Sequence, residues 1–293
     1  MPEGHSVHRL ARQFGDVFAG SRLAVTSPQG KFTAGAARLD GYVLERAEAH
    51  GKQLFLHFAN DLVLRVHLGL YGAWDFGGDE TFTGASSIGA PRRIGEQELG
   101  GVGDGDYAGP PEPKGAVRVR LVSEHGWADL RGPTACEVLT VPEARAVRAK
   151  LGPDPLHNAP GDAAEFTRRI RVSGTGIGVQ LMKQEVLAGV GNVYRAEVLF
   201  RQALDPWLAG RRLSVEAAAA LWADIATVMA DGVRDGRIIT TLPGRWSATP
   251  VPVEDAHYVY KRAGLPCRRC GTPIAMTELA ARKLYWCPGC QGG

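Results

Sequence analysis

The chain has 293 residues, and its 34 Lys+Arg against 31 Asp+Glu leave a formal net charge of only +3. A hydrophobic fraction of 44% with 22% charged residues excludes a disordered or coiled-coil protein, and the length suggests about two domains at roughly 150 residues each. No apolar run approaches the roughly 18 residues of a membrane span, and MPEGHSVHRLARQF lacks the layout of a signal peptide, so no membrane partner is expected.

In chain order, Pro2 and Glu3 suit a first helical turn. Val7, Leu10, Ala11, Phe14, Val17 and Phe18 then recur at helical spacing up to a stop at Gly20. Leu23–Val25, Tyr42–Ala47, Gln53–Phe58 and Leu62–His67 read as short strands between turns, the pattern of a β-sandwich or barrel. Gly77 to Gly115 is rich in Gly, Pro, Asp and Glu and reads as a long insertion between strands. Strand character resumes at Val117–Val122, and Trp127–Leu130 finishes the sheet. Helical signals follow at Glu143–Lys150, Ala163–Arg171, Ile177–Glu185, Val193–Phe200 and Ser214–Asp231, with Ser214 as an N-cap. Arg237–Ala256 reads as a loop, and His257 to Gly293 as a separate small unit. The fold class is α+β: N-terminal helix plus β-sandwich at 1–132, a helical domain at 133–256, and a cysteine-bearing tail at 257–293.

Of five cysteines, four lie in the tail as Cys267-x2-Cys270-x16-Cys287-x2-Cys290. Two CxxC knuckles at this separation fit a tetrahedral four-thiolate zinc site, with Thr272–Trp286 as the hairpin between them. All-thiolate ligation indicates one structural Zn2+, and so short a tail needs the metal to fold. Two disulfides are the alternative, but nothing else in the chain points to an oxidising compartment. Lys261, Arg262, Arg268, Arg269, Arg282 and Lys283 face one acid, Glu278, which suits phosphate contact and equally suits a plain solvated surface. In AGVGN, Gly189 and Gly191 permit a tight turn. Asn192 as N-cap would head an anion cradle, although a simple helix connection has the same sequence. Removal of Met1 would expose the secondary amine of Pro2. An α-amine titrates near 8, so a useful fraction is a neutral nucleophile able to form an iminium at an aldehyde-level carbon, with Glu3 beside it for proton transfer. A favourable helix start explains the same two residues.

Taken together, MPEG, HGKQLFLHF (50–58), LGPDPL (151–156), LAGVGNVYRAEVLF (187–200) and the four-cysteine tail resemble, in that order, the formamidopyrimidine-DNA glycosylase / endonuclease VIII family. The likeness covers nearly the whole chain outside the Gly-rich insertion. It implies a β-sandwich lobe, a helix–two-turn–helix lobe and a zinc ribbon, with damaged DNA between the lobes. It further implies a monomeric, cytoplasmic, nucleoid-associated bacterial enzyme. By the resemblance, Pro2 is the nucleophile, Glu3 the carboxylate that handles protons at the sugar, and Lys52 the lysine beside the lesion phosphate. Asn192 and Arg282 are further phosphate anchors. The implied reaction is base removal through a Pro2 Schiff base, followed by β,δ-elimination. HLGLYG carries Leu70 and Tyr71, which resemble the void-filling residues of the endonuclease VIII branch, although Gly69 stands where that branch has a side chain. PEGH and WADLRGP also lean away from the purine branch, so oxidised pyrimidines are the expected lesions. A purine-specific glycosylase and a silent damage-binding protein are the alternatives. His5 and His8 read as surface residues of the first helix, with DNA contact as the alternative, His57 and His67 as core or surface histidines, Cys136 as a small core residue, and Trp246 as a loop anchor or stacking residue.

Overall fold

One face of the first helix is a stripe of Val7, Leu10, Phe14 and Phe18, all buried, because the spacing of three and four residues sets them one above another. That helix, α1 (Gly4–Phe18), packs into the core of a two-sheet sandwich. The computed structural model describes residues 2–90, 109–241 and 251–292. The chain divides into two compact units, 1–149 and 150–293.

In the first unit the elements after α1 are β1 (Ala24–Thr26), α2 (Thr33–Leu39), β2 (Leu44–His50), β3 (Gln53–Phe58), β4 (Leu62–His67) and β5 (Ala73–Gly78). They continue with β6 (Ser87–Gly89), β7 (Val117–Val122), β8 (Gly126–Arg131), β9 (Ala135–Thr140) and α3 (Val141–Ala149). One sheet runs β2-β3-β4-β9 and the other β1-β7-β8-β5-β6, with every neighbouring pair antiparallel. Strand alternation sends Leu54, Leu56, Phe58, Leu64 and Val66 inward from the first sheet, to meet Trp74, Phe76, Val119, Leu121 and Leu130 from the second. The ring of Phe14 sits among them, edge-on to Trp74 at 4.8 Å and to Phe76 at 5.2 Å. Cys136 packs at the rim of this core, and burial pushes its thiol up to about 12, which leaves it inert.

The opposite face of the four-stranded sheet presents Phe55 and Val63, which Ala144 of α3 covers. The first compact unit therefore runs to 149. Strand β9 and helix α3 extend its sheet and cap it. The pattern of β9, ACEVLT, is half exposed along an edge and lacks the alternation that marks a strand in sequence. The short helix α2 was likewise not anticipated. The Gly-rich insertion is narrower than 77–115, because Gly77 and Gly78 still belong to β5 and Ser87–Gly89 pairs with it. Its far end is fastened by guanidinium groups. Arg120 donates to the carbonyl of Pro111 and Arg131 to that of Lys114, both at 2.7 Å. Arg120 is itself held by Asp129 through two bonds of 2.7 and 2.8 Å.

The second unit contains α4 (Asp162–Arg171), α5 (Ile177–Gln180), α6 (Asn192–Arg201), α7 (Val215–Asp235), the hairpin β10 (Ala275–Leu279) and β11 (Arg282–Trp286), and α8 (Pro288–Gln291). Phe166 and Ile170 of α4 pack with Leu221, Trp222 and Ile225 of α7, whose N-cap Ser214 accepts from Ala217 N at 3.1 Å. The expected helix Ile177–Glu185 stops at Gln180. Gln184 instead binds the following turn, accepting from Gly189 N and donating to Val190 O, both at 3.0 Å. The tail packs on α6. Ala196 and Phe200 of α6 share one core with Tyr258, Val259, Ile274 and Leu284. Among the described residues no helix is long and apolar enough to cross a membrane.

Gly69 adopts φ +67°, and a Cβ there would sit 1.8 Å from Thr134 Oγ1. Gly69→Ala is therefore expected to lose about 2 kcal/mol, seen as a lower midpoint in urea unfolding with an unchanged slope.

Candidate functional site

The first turn of α1 begins two residues later than the sequence suggests, at Gly4. Glu3 is the N-cap residue, in extended backbone, and Ser6 N donates to its carbonyl at 3.1 Å. Its side chain makes no cap, yet Glu3 is fully buried and Pro2 beside it is buried too. A buried carboxylate that does not cap its own helix is a candidate for chemistry. His5 follows in the same turn, buried, with Nε2 3.2 Å from Ser6 Oγ. Burial first, then the charge of Arg9, lowers its pKa to about 3, so the ring is neutral at working pH.

Lys52 occupies the two-residue turn joining β2 to β3, since His50 pairs directly with Gln53. Gly51 takes the left-handed position of that turn at φ 58°. Gln53 in turn pairs with His67, the last residue of β4. The turn carrying Lys52 and the turn carrying Leu70 and Tyr71 therefore lie at one end of the same sheet. Burial, then the neighbouring ammonium of Lys52, lowers the pKa of His67. Leu70 is 43% exposed and Tyr71 82%, an aliphatic and an aromatic side chain offered side by side to solvent. His57 lies on the outer face, held between Arg46 and Glu48 at 3.1 and 3.3 Å. Trp246 lies outside the described residues.

In the second unit, Gly191 and not Asn192 is the N-cap of α6. Asn192 is the first helical residue, and its side chain turns to the ribbon. Nδ2 donates to Lys283 O at 2.8 Å, and Oδ1 accepts from Arg195 Nη2. Leu279 pairs with Arg282 across β10 and β11, leaving Ala280 and Ala281 as the whole turn, at φ 52° and 56°. Two positive-φ residues match the type I′ hairpin, which favours Asn-Gly; alanine at such a position costs roughly 1–2 kcal/mol. Arg282 and Lys283 follow directly, both exposed.

The four thiols Cys267, Cys270, Cys287 and Cys290 converge, with all sulfur atoms within 4.8 Å of one another and none in a disulfide. Sγ separations of 3.9 Å (Cys267–Cys290) and 3.4 Å (Cys270–Cys287) bracket the roughly 3.8 Å edge of a tetrahedron with Zn–S near 2.3 Å. The donor set fits one structural Zn2+. Of the basic tail residues, several are structural. Arg268 bonds Asp255 and the carbonyls of Glu254 and His257. Arg269 lies over the Phe200 ring at 4.6 Å, and Arg262 bonds the carbonyl of Tyr258. Lys261, Arg269, Arg282 and Lys283 are exposed, Arg269 with its guanidinium engaged by the Phe200 ring and by carbonyls of α6.

Two residues in this region were not singled out from the sequence. Arg195 and Glu197 are fully buried in α6. Glu197 accepts from the backbone N–H groups of Tyr258, Val259 and Tyr260, each at 2.8 Å, and from the hydroxyl of Thr240. Their signal was two charges inside the otherwise apolar run VYRAEVLF.

Two measurements follow from this geometry. Between pH 6.5 and 3 an unfolded chain protonates His5 and the folded chain does not, so stability falls as pH drops below 6.5. The share from His5 is about 1.4 kcal/mol per pH unit, and His5→Asn should make the fall shallower by that share in denaturant titrations at pH 7, 6 and 5, His57, His67 and His257 supplying the rest. Chelation should release one zinc per chain in a colorimetric assay, with loss of the hairpin signal in circular dichroism.

Family descriptions match most of the chain. The formamidopyrimidine-DNA glycosylase N-terminal domain matches residues 1–131, the formamidopyrimidine-DNA glycosylase H2TH domain 151–243, and the zinc finger found in FPG and IleRS 264–292. The chain is 43% identical over 298 residues to Endonuclease 8 1 of Mycobacterium bovis, covering 99% of this chain and 100% of that protein. It is 29% identical to Probable endonuclease 8 2 of Streptomyces coelicolor over 100% and 95% of the two chains. Among solved structures, MutM (FPG) from Thermus thermophilus superposes with a TM-score of 0.73 at 26% identity over 99% of each chain. A point mutant of the Lactococcus lactis FPG, in complex with a Fapy-dG containing DNA, shares the fold with a TM-score of 0.74 at 21% identity over 100% of each.

Proposed function

The chain belongs to the formamidopyrimidine-DNA glycosylase / endonuclease VIII family of DNA repair glycosylases, and on that premise we propose that it is a bifunctional glycosylase and AP lyase that removes oxidised pyrimidines. The observation that carries this reading is the start of α1. A fully buried carboxylate, Glu3, adjoins the residue whose nitrogen becomes a free amine once Met1 is removed.

The target C1′ lies inside the base stack, so the nucleotide is first turned out of the duplex. The Pro2 nitrogen attacks C1′, the C1′–N bond to the base breaks, and the base leaves with a proton. Opening of the sugar ring gives an iminium between Pro2 and C1′, with Glu3 supplying the proton to the ring oxygen. The iminium acidifies C2′–H. Loss of that proton breaks the C3′–O bond, a second elimination breaks the C5′–O bond, and water releases Pro2. The product is a one-nucleotide gap with phosphate at both ends. Lys52, Asn192 and Arg282 hold backbone phosphates, and Leu70 and Tyr71 fill the space the nucleotide leaves. The exposure of Tyr71 supports the last role, because a large aromatic side chain left in water is ready for a stacked environment. The partner is damaged DNA, engaged by a monomer. The whole-length likeness to Endonuclease 8 1, together with Leu70 and Tyr71, supports pyrimidine lesions.

Borohydride reduction of the protein on DNA bearing an abasic site or thymine glycol should give a covalent adduct. The same protein with its N-terminus blocked by retained Met1 or a tag should give none. Absence of adduct from the unblocked protein would leave a damage-binding protein without lyase chemistry. Faster excision of 8-oxoguanine than of thymine glycol would place the lesion preference with the purines.

A further inference from the structure

We propose that Arg195 is a positioning residue that holds Asn192 and Arg282 as one rigid phosphate clamp. The inference rests on the reading that Asn192 and Arg282 meet the DNA backbone.

The guanidinium of Arg195 is sealed inside α6 and reaches across to the hairpin. Nη1 donates to Gly178 O at 3.4 Å and Leu279 O at 3.5 Å; Nη2 donates to Lys283 O at 3.4 Å and to Asn192 Oδ1. Leu279 precedes the Ala280–Ala281 turn, and Lys283 follows Arg282. One planar group thus binds the backbone on both sides of the Ala280–Ala281 turn and of Arg282. The carbonyl contacts are long, so the guanidinium is shared among them, which suits a fork with five donors and not a point charge.

The same group sets Asn192. Arg195 takes the amide oxygen and Lys283 O takes one N–H of Nδ2. The amide can therefore face only one way, with its second N–H as the donor for a phosphate. The turn gives an independent reason. Ala280 and Ala281 both hold positive φ, which alanine does not choose by itself. A strained turn persists where its surroundings over-determine it. The carbonyls gripped by Arg195 flank this one.

The test is binding to duplex DNA containing a tetrahydrofuran abasic analogue, measured over a salt series. The proteins are the zinc-loaded wild type, R282A, R195M, R195M/R282A and R195M/A280N/A281G. R282A should bind roughly tenfold more weakly, with a salt slope shallower by about 1. R195M should retain its zinc and show a similar loss in both quantities. The double variant should fall well short of the product of the two single losses. The Asn-Gly turn, which needs no external brace, should restore part of the slope to R195M. A merely structural Arg195 would lower thermal stability and leave the salt slope alone. That outcome in R195M with full zinc overturns the proposal, as does full additivity with R282A. If R195M loses zinc, R195K carries the same comparison, since it keeps the charge and loses the fork. An unchanged slope in R282A overturns the underlying DNA-contact reading, and the clamp with it.

Discussion

Burial of Arg195 and Glu197 within a single helix is the constraint from which the second unit is organised. A guanidinium and a carboxylate without solvent are tolerable only where donors and acceptors meet them. Both find most of these in backbone. Glu197 gathers the N–H groups of residues 258–260, where the chain enters the ribbon, and Arg195 gathers carbonyls at the hairpin's far end. The metal holds the knuckles together; the helix decides where the ribbon stands.

The first unit solves a comparable problem with sheets. Two turns meet at one end of the four-stranded sheet because β3 pairs with both β2 and β4 in fixed register. That register carries a cation, Lys52, beside an exposed aliphatic–aromatic pair. Gly69 makes the second turn possible, since its neighbour Thr134 leaves no room for a side chain. The missing side chain at Gly69 is therefore a packing requirement of this chain.

Much of this was legible in the sequence, and the reasons differ by element. The stripe of α1, the strands β3, β4 and β7 and the zinc knuckles follow from periodicity and spacing, which local chemistry enforces. The strand β9 did not, because an edge strand needs no alternation. Nor did the end of α5, where Gln184 bonds the turn instead of continuing the helix. The capping role given to Asn192 failed for a related reason. Its amide is drawn to a carbonyl 91 residues away, a partner no local rule contains. Several tail cations, whose charge suited phosphate contact and a solvated surface equally, are braces, since charge alone does not reveal whether a side chain lies over an aromatic ring or points to water.

The hold on the far end of the insertion has a consequence for how this chain can vary. Arg120 and Arg131 grip carbonyl oxygens at positions 111 and 114, not side chains. Every amino acid brings a carbonyl, so the residues at 111 and 114 are free to drift so long as the two arginines stay. A segment tethered in this way can change its composition over evolutionary time while the sheet beneath it keeps its shape.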